Sequence, residues 1–570
     1  MEVNISPHRA CGLHVAQAIY LKLAYEEEEM RRFLKRFVSL GLVVALTVSG
    51  LSLFACSNGD SQGSSALAEA EVVIGFPSIP EHFDPLQGFG GNHGSGTQLL
   101  YSTLVEIDAD MKIVCDLARD YSISADALVY TFELRTDAKF TDGTEVTADD
   151  VIFSFEQFQS AATSVDLSNI DSMSVSGNVI SITLKQPQST FILTLADAAI
   201  VPKHAYGPDF GIKPVGSGPY ILVQLDVDQQ FILQANEGYY RKAPEIKRVV
   251  FVKLADEDTR LAAVKSGQVD ITMTNAVLAG VSETPGYNLM IAESLDNLGI
   301  VMPVVPDTGE LNQYGYLVGN NITCDPSFRR ALAYGLDRDA ICRDALNGYA
   351  TAAYSENDGM PWSNPACVID SDTQYAISLL EEAGWQMGDD GIRIKQGMRA
   401  SFTLLYTSGD SVRQSVAMAA SQQAREKLGI EMIVEGASWD QIGTRMYSTP
   451  LILAWGSSSP QTSYYLFHSS HAGLDDLYNP ENYASETTDR YLEMALSAVS
   501  LEAATEYFQL AQWDGSTGTS MRGNCPYVFL INRSHLYWVR DGLNTGRQPI
   551  HAHCDSWTLV NNLREWSWEN

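Results

Sequence analysis

The sequence predicts an α/β protein with more than one hydrophobic core. At 570 residues it exceeds the roughly 250–300 residues at which a single core stops growing. Strand-like and helix-like segments alternate along most of the chain, which is typical of α/β architecture. The composition, with 45% apolar and 19% charged residues, is that of a soluble globular protein. A net charge of −33 argues against a nucleic-acid partner, because phosphate binding needs a basic surface.

An N-terminal segment has the pattern of a secretory signal. A basic stretch from Met30 is followed by uncharged, largely apolar residues over 38–55. The sequence Leu-Phe-Ala-Cys that ends at Cys56 resembles a bacterial lipobox, so we expect a signal peptide over 30–55 and lipidation of Cys56. A transmembrane helix is the alternative, since about 18 uncharged residues nearly span a bilayer. The polar residues that follow predict a flexible tether over 56–70.

Residues 1–29 do not fit a signal peptide, which should begin the protein. They end in four consecutive glutamates, whose purine-rich codons resemble a ribosome-binding site. We therefore expect Met30 to be the true start and residues 1–29 to be a mis-annotated leader.

Several elements beyond the tether can be predicted from local pattern. Strands are expected over 71–76, 128–135 and 430–435, from their β-branched and aromatic residues. Thr147 is expected to be the N-cap of a helix with acids in its first turn. Helical spacing covers 325–347, 376–383 and 410–428, and the last two segments end at glycines.

Apart from Cys11 and Cys56, the cysteines could form up to three disulfides outside the cytoplasm, and the sequence does not choose a pairing. The absence of a CxxC motif gives no support to a thioredoxin-like site or a zinc ribbon. These cysteines are Cys115, Cys324, Cys342, Cys367, Cys525 and Cys554.

Eight blocks of sequence resemble, in order, the peptide- and nickel-binding solute-binding proteins of bacterial ABC importers (family 5). The most diagnostic block runs from Phe140 to Val151. Each block alone is weak evidence, but eight in order are strong, and the resemblance covers essentially all of the mature chain. The blocks are 83–85, 101–108, 140–151, 201–206, 214–220, 236–240, 266–270 and 328–338.

The resemblance implies a two-lobed periplasmic-binding-protein fold of type II, with an extra subdomain in the first lobe and a hinge between the lobes. Lobes of this kind close around a solute by hinge motion. Most of the matching blocks are expected to be scaffold rather than binding site. The expected boundaries are lobe I over 71–300 with its subdomain at about 113–195, lobe II over 301–530, and a C-terminal return to lobe I over 531–570.

The resemblance places the ligand pocket between the lobes, beside a stretch similar to residues 453–471. Peptide-binding relatives hold an aspartate about three residues after the tryptophan, where it pairs with the peptide's α-ammonium. In this sequence Ser458 stands in that place after Trp455. A buried ammonium without a carboxylate is costly, so another acid would have to supply the charge. Tyr464 and Tyr465 are candidate walls of the pocket together with Trp455, with core packing as the alternative for Tyr464.

Two histidines are the candidate metal ligands. His93 lies in a glycine-rich loop over 88–96, and His468 follows the tryptophan stretch. Imidazole suits nickel, and nickel-binding relatives hold the metal with few histidines and a small chelator. The alternative is that both histidines are ordinary hydrogen-bonded side chains. Arg413, at the start of a helix, could clamp a carboxylate of a peptide or chelator, or be solvated.

These features predict an extracytoplasmic solute-binding lipoprotein of an ABC importer. It would capture a short peptide or a nickel chelate between its lobes and deliver it to the permease, with the partner ATPase supplying the energy. We expect a monomer without a cofactor, with nickel at most the transported solute. It would sit in the periplasm or on the cell membrane and touch the membrane only through its lipid. No HExxH, GxSxG or P-loop motif supports an enzyme such as a secreted hydrolase, whereas a sensory binding protein that feeds a receptor stays open.

Overall fold

The fold is described from a computed structural model, which covers residues 71–89, 96–161, 163, 165–474, 477–553 and 555–569. Within these ranges no helix is both long enough and apolar enough to span a membrane. The expected signal peptide, the tether and Cys56 lie outside the described residues.

The described residues form strands and helices in an alternating order. In chain order the strands are β1 Glu71–Phe76, β2 Val105–Ile107, β3 Ile113–Cys115, β4 Ala118–Ile123, β5 Val129–Leu134, β6 Ile170–Ser176, β7 Val179–Leu184, β8 Tyr220–Asp226, β9 Gln230–Ala235, β10 Arg248–Lys253, β11 Ile271–Thr274, β12 Tyr287–Ala292, β13 Asn297–Val301, β14 Ala350–Ala352, β15 Gln386–Met387, β16 Arg393–Lys395, β17 Met398–Arg399, β18 Ser401–Thr407, β19 Glu431–Ala437, β20 Leu451–Trp455, β21 Tyr527–Arg533, β22 His535–Arg540, β23 Leu543–Asn544 and β24 Ser567–Trp568. The α-helices are α1 Thr97–Leu100, α2 Ala148–Ser160, α3 Phe191–Asp197, α4 Glu257–Lys265, α5 Ala276–Val281, α6 Pro326–Gly335, α7 Arg338–Ala345, α8 Thr373–Glu382, α9 Ser411–Gln423, α10 Trp439–Arg445, α11 Gln461–Phe467, α12 Glu486–Leu496, α13 Leu501–Gln512 and α14 Asp555–Leu559.

The first lobe is built on a seven-stranded mixed sheet in the order β12-β22-β11-β1-β10-β9-β8. Strand β1 lies near its centre and pairs in parallel with β10 and β11. Its side chains Val72, Ile74 and Phe76 are fully buried. The β-branched and aromatic residues that predicted this strand therefore supply part of the core of the sheet.

A four-stranded antiparallel sheet, in the order β4-β5-β7-β6, forms a second layer in this lobe. Helix α2 begins at the predicted N-cap, where Thr147 and Asp150 form a capping box. Val151 and Phe155 of this helix join the same apolar core as Phe132 of the small sheet.

The second lobe has its own six-stranded sheet, in the order β14-β21-β13-β20-β18-β19, and its own apolar core. The predicted helix over 410–428 is α9, which continues as a π-helical turn over Ala424–Leu428 and ends at Gly429 with φ of 68°. The predicted helix over 325–347 is instead two helices, α6 and α7. The chain breaks at Leu336 because Asp337 caps the second helix, accepting a hydrogen bond from the N–H of Ala340 at 2.9 Å.

The chain passes between the two sheets at two neighbouring points. It leaves the first sheet after β12, enters the second at β13, and returns from β21 to β22 through Ser534. The two crossings touch, since the N–H of Arg533 donates to the carbonyl of Asp296 at 3.0 Å. This pair of crossings is the hinge between the lobes. The expected domain boundaries themselves stay a prediction.

The cysteines that the structure describes are unpaired. Cys342, Cys367 and Cys525 are buried as free thiols, and Cys115 and Cys324 are half-buried. No disulfide therefore joins these five residues. Cys554 lies outside the described part of the chain.

Candidate ligand-binding site between the lobes

Two adjoining cavities lie between the loop that follows β20 and the first lobe. Their volumes are about 330 Å³ and about 100 Å³. Three residues line both cavities: Ile107 and Asp197 from the first lobe and Ser458 from the second. The two cavities therefore form one candidate site, with Ser458 at their junction.

A close approach between backbones fixes the start of the loop. A Cβ atom at Gly456 would lie 2.7 Å from the carbonyl oxygen of Leu295, which belongs to the hinge. Only glycine lets the chain pass this close, so the loop leaves β20 directly against the hinge. Ser458, two residues further on, is thereby placed opposite the first lobe.

Ser458 and Tyr465 are the two predicted binding residues that line this site. Ser458 is half-buried, and its hydroxyl makes no hydrogen bond with another described residue. Tyr465 lines the smaller cavity, where its hydroxyl accepts a hydrogen bond from Gln461 Nε2 at 2.6 Å and burial raises its pKa to about 12. Its ring lies 5.1 Å from that of Tyr478, another residue of the cavity wall.

Trp455 and Tyr464 belong to the packing behind the site and line neither cavity. The Trp455 ring stacks on Tyr478 at 4.9 Å, and its buried Nε1 finds no hydrogen-bond partner among the described groups. The Tyr464 ring stacks on His468 at 4.3 Å. Core packing, the alternative considered for Tyr464, agrees with this position.

His468 is buried, and both ring nitrogens lie near polar groups. Nδ1 is 2.7 Å from Ser470 Oγ and also accepts the N–H of Ser470, while Nε2 is 3.4 Å from a carboxylate oxygen of Glu493. The imidazole thus caps a short 3₁₀ turn over Ser469–His471. The described residues contain no group of three or more His, Cys, Asp or Glu that could hold a metal. Nickel binding by His468 stays a prediction, and its proposed co-ligand His93 lies outside the described residues.

Arg413 is held by contacts with its helix N-cap, strand β18 and helix α10. Its Nη1 donates to Thr407 Oγ1 at 3.0 Å, its Nε lies 3.6 Å from Asp410, and its guanidinium lies over the ring of Trp439. It lines neither of the two cavities. A role in clamping a ligand carboxylate stays a prediction.

Asp197 is an acidic residue of the site that was not among the residues predicted from the sequence. It is the last residue of α3 and lines both cavities beside Ser458. One signal was present in the sequence, because Asp197 is the only charged residue between Lys185 and Lys203. A lone acid in an apolar stretch is unusual for core packing.

Hydrogen bonds join the two lobes at the edge of the site. The hydroxyl of Ser189 donates to the carbonyl of Ala495 at 2.8 Å, and its N–H donates to Leu496 at 2.8 Å. The hydroxyl of Thr190 donates to Gln461, which lines the smaller cavity, at 2.9 Å. The lobes are therefore in contact on the side where the solute site lies.

The hinge itself contains a buried charge cluster. Asp296 is fully buried and contacts Arg533 Nε, His535 Nε2 at 3.3 Å and His553 Nδ1 at 2.8 Å. Burial alone would raise the pKa of Asp296, but the Arg533 guanidinium and the two imidazoles hold it well below its usual range. Burial lowers the pKa of His551, beside His535, to about 3. These histidines are part of the buried cluster at the hinge.

A third cavity, of about 840 Å³, lies beside the hinge and is lined by Asp256, Asp410 and Arg533, among others. Two of its acids already cap helices: Asp256 caps α4, and Asp410 caps α9. The residues of the tryptophan loop do not line it. The smaller pair of cavities is therefore the better candidate for a solute site, although the hinge cavity is larger.

Two α/β lobes, two hinge crossings and a cavity lined by residues of both lobes define the class of two-lobed solute-binding proteins. Comparison with known proteins supports this class. The structure of NikZ from Campylobacter jejuni in complex with Ni(L-His) matches with a TM-score of 0.75 at 23% identity, over 88% of this chain and 99% of that one. The structure of the oligopeptide-binding protein AppA from Bacillus subtilis, in complex with a nonapeptide, matches with a TM-score of 0.69 at 22% identity over the same shares.

Sequence comparison extends the similarity to the family. The pattern of the bacterial extracellular solute-binding proteins, family 5 (middle), matches residues 112–476. Protein XP55 of Streptomyces lividans is 30% identical over 528 residues, covering 89% of this chain and 92% of that protein. AppA of Bacillus subtilis (strain 168) is 27% identical over 536 residues, covering 87% and 93%. The chain belongs to family 5 of the bacterial extracellular solute-binding proteins.

Family membership confirms the predicted fold class and the general function. Members of this family are the solute-binding components of ABC importers rather than enzymes, and they act outside the cytoplasm. They deliver their solute to a membrane permease.

Proposed function

We propose that this protein binds a short peptide with a free N-terminus and delivers it to an ABC permease. The solute would occupy the two adjoining cavities and be held by closure of the lobes. The energy for transport would come from the partner ATPase.

One observation carries the choice of a short solute. The candidate site measures about 330 Å³ with an adjoining 100 Å³, at the low end of the range of roughly 300–1,000 Å³ typical of small-molecule pockets. Its walls combine aromatic side chains, Tyr465 and Tyr478, with the hydroxyl of Ser458, which bonds no other residue in the described part of the chain. Such a site suits a di- or tripeptide better than a long peptide.

Binding of a nickel chelate is the competing proposal, with His93 and His468 as ligands. The contacts of His468 with Ser470 and Glu493 favour the peptide, because a metal would have to displace them. A sensory role, in which the loaded protein contacts a receptor instead of a permease, would use the same site.

The test is calorimetric titration of the unfolded, ligand-stripped and refolded mature chain. The titrants are a defined set of synthetic di- and tripeptides, and nickel with and without histidine. Peptide binding without a nickel response supports the proposal. Nickel binding that disappears in His468→Ala and His93→Ala, with no response to peptides, would overturn it in favour of the chelate.

We also propose that the protein is a lipoprotein anchored through Cys56. The lipobox-like sequence and the polar residues after it support this proposal. The test is to express Cys56→Ala in a bacterial host and follow the location of the protein. Release of the variant from the membrane fraction is expected, and unchanged membrane retention would contradict lipid anchoring at this residue.

A further inference from the structure

A carboxylate without a partner faces the candidate site from the first lobe. Asp197 makes no side-chain hydrogen bond or ion pair with any residue in the described part of the chain, and it lines both cavities. Its side chain is accessible to water inside the cavity while protein atoms surround it. A positively charged group of a ligand in the cavity can therefore reach this carboxylate directly.

The other charged groups around the cavities are mostly compensated. Glu106 contacts Arg241 and Arg564, and Asp110 contacts Arg547 at 2.5 Å. Two more acids accept backbone N–H groups: Asp108 those of Asp110 and Lys112, and Asp166 that of Ser168. Glu565 lines only the larger cavity and is exposed. Asp197 is therefore the uncompensated acid at the junction of the cavities.

The position of Asp197 in its helix also disfavours the ionised carboxylate. It is the C-terminal residue of α3, where the partial negative charge of the helix end disfavours an anion. Burial raises its pKa to about 6. A cation bound next to the carboxylate would relieve both effects, so the site favours a positively charged group in the ligand.

Ser458 faces the same space from the second lobe. The aspartate that peptide-binding relatives are expected to hold at this position is absent, and the serine hydroxyl supplies a hydrogen-bond acceptor without a charge. The charge and the hydroxyl therefore come from opposite lobes. A ligand group that contacts both would hold the lobes together.

We propose that Asp197 binds the α-ammonium of the solute, with the Ser458 hydroxyl as a second acceptor, so that the acid missing from the second lobe is replaced by one from the first. This inference rests on the proposed peptide function and names the residue that selects a free N-terminus. It also assigns Asp197 a part in closure, because the ammonium bridges the two lobes.

The experiment uses the refolded mature chain as wild type, Asp197→Asn and Glu382→Gln. Each is titrated with the defined set of di- and tripeptides and with the same set N-acetylated. We expect acetylation to weaken binding to the wild type roughly 10- to 100-fold, the effect of one charge-assisted hydrogen bond. Asp197→Asn should weaken binding of the free peptides to a similar extent and bind both sets alike. Glu382→Gln, the control at an exposed position on α8 that lines neither cavity, should behave as the wild type.

A second readout does not depend on a variant. Affinity of the wild type for free peptides should fall about tenfold per pH unit below pH 6, as the Asp197 carboxylate takes up a proton. The α-ammonium, with an ordinary pKa of about 8, stays charged over this range. Affinity for the acetylated set should stay flat.

The outcomes separate the two proposals. Binding of free peptides that is unchanged in Asp197→Asn, or that does not respond to acetylation in the wild type, overturns the role of Asp197 and leaves the peptide function standing. Absence of binding to both sets in the wild type overturns the peptide function, and the ammonium role with it.

Discussion

Glu481 in the second lobe provides a sharp test of how burial changes the pKa of a carboxyl group. Its side chain is 2% exposed and makes no hydrogen bond or ion pair with another described residue. The segment is fixed in place because the N–H of Val304 donates to the Glu481 carbonyl at 2.9 Å. Burial raises the pKa of this carboxyl from 4.5 to about 8, so the folded protein holds it neutral at pH 7.

The sign of the pH dependence follows from the raised pKa. Between pH 4.5 and pH 8 the unfolded chain releases the Glu481 proton while the folded chain keeps it, so stability falls as pH rises. The slope is about 1.4 kcal/mol per pH unit, which amounts to roughly 4 kcal/mol between pH 5 and pH 8. Glu481→Gln has a similar shape and cannot ionise, so it should lose this part of the pH dependence.

The assay is urea unfolding at pH 5, 6.5 and 8, followed by tryptophan fluorescence. The quantity compared is the change in the free energy of unfolding with pH, in the wild type and in Glu481→Gln. Glu382→Gln, at an exposed position on α8, is the control and should follow the wild type. Equal loss of stability between pH 5 and pH 8 in the wild type and Glu481→Gln would refute the reasoning.

Three further predictions concern the hinge, the contact between the lobes and a close backbone approach. Asp296→Asn leaves the charge of Arg533 uncompensated in the hinge and should lower the free energy of unfolding by about 3–5 kcal/mol, measured by urea unfolding. Ser189→Ala removes a hydrogen bond between the lobes that is worth about 1 kcal/mol, so it should weaken peptide binding roughly fivefold. Solution scattering by the free protein should show a larger share of molecules with open lobes. Unchanged affinity and unchanged shape would contradict this prediction. A Cβ at Gly216 would lie 1.9 Å from the carbonyl oxygen of Leu100. Gly216→Ala should therefore prevent soluble expression or lower the melting temperature by many degrees. A melting curve like that of the wild type would contradict this close approach of Gly216 to Leu100.

Local chemistry explains why much of the fold could be predicted from the sequence. The strand over 71–76 and the N-cap at Thr147 depend on residues a few positions apart, and both are present as expected. The helix over 325–347 was predicted as one because its apolar spacing continues across the break. The break at Leu336 follows from the cap at Asp337, a local signal that the continuing apolar spacing hides. The N–H of Asp337 also donates to Gln423, far along the chain, and no local pattern reveals that partner.

The candidate site could be predicted only in part, for the same reason. The tryptophan loop was located through its sequence, and Ser458 and Tyr465 line the cavities. Whether a side chain of the loop faces the cavity or the core is decided by neighbours from other elements. His468 turns towards Glu493 of α12, and Trp455 turns towards Tyr478.

The sequence by itself determined the class of this protein, because strand alternation, helix caps and ordered motifs act over short stretches of chain. The tertiary structure alone decided which charges meet. Asp296 and Arg533 pair across 237 positions, and Asp197 faces Ser458 from another lobe. Such encounters depend on where the chain crosses between the lobes and on what each crossing buries, and burial is what gives an isolated charge its large free-energy cost.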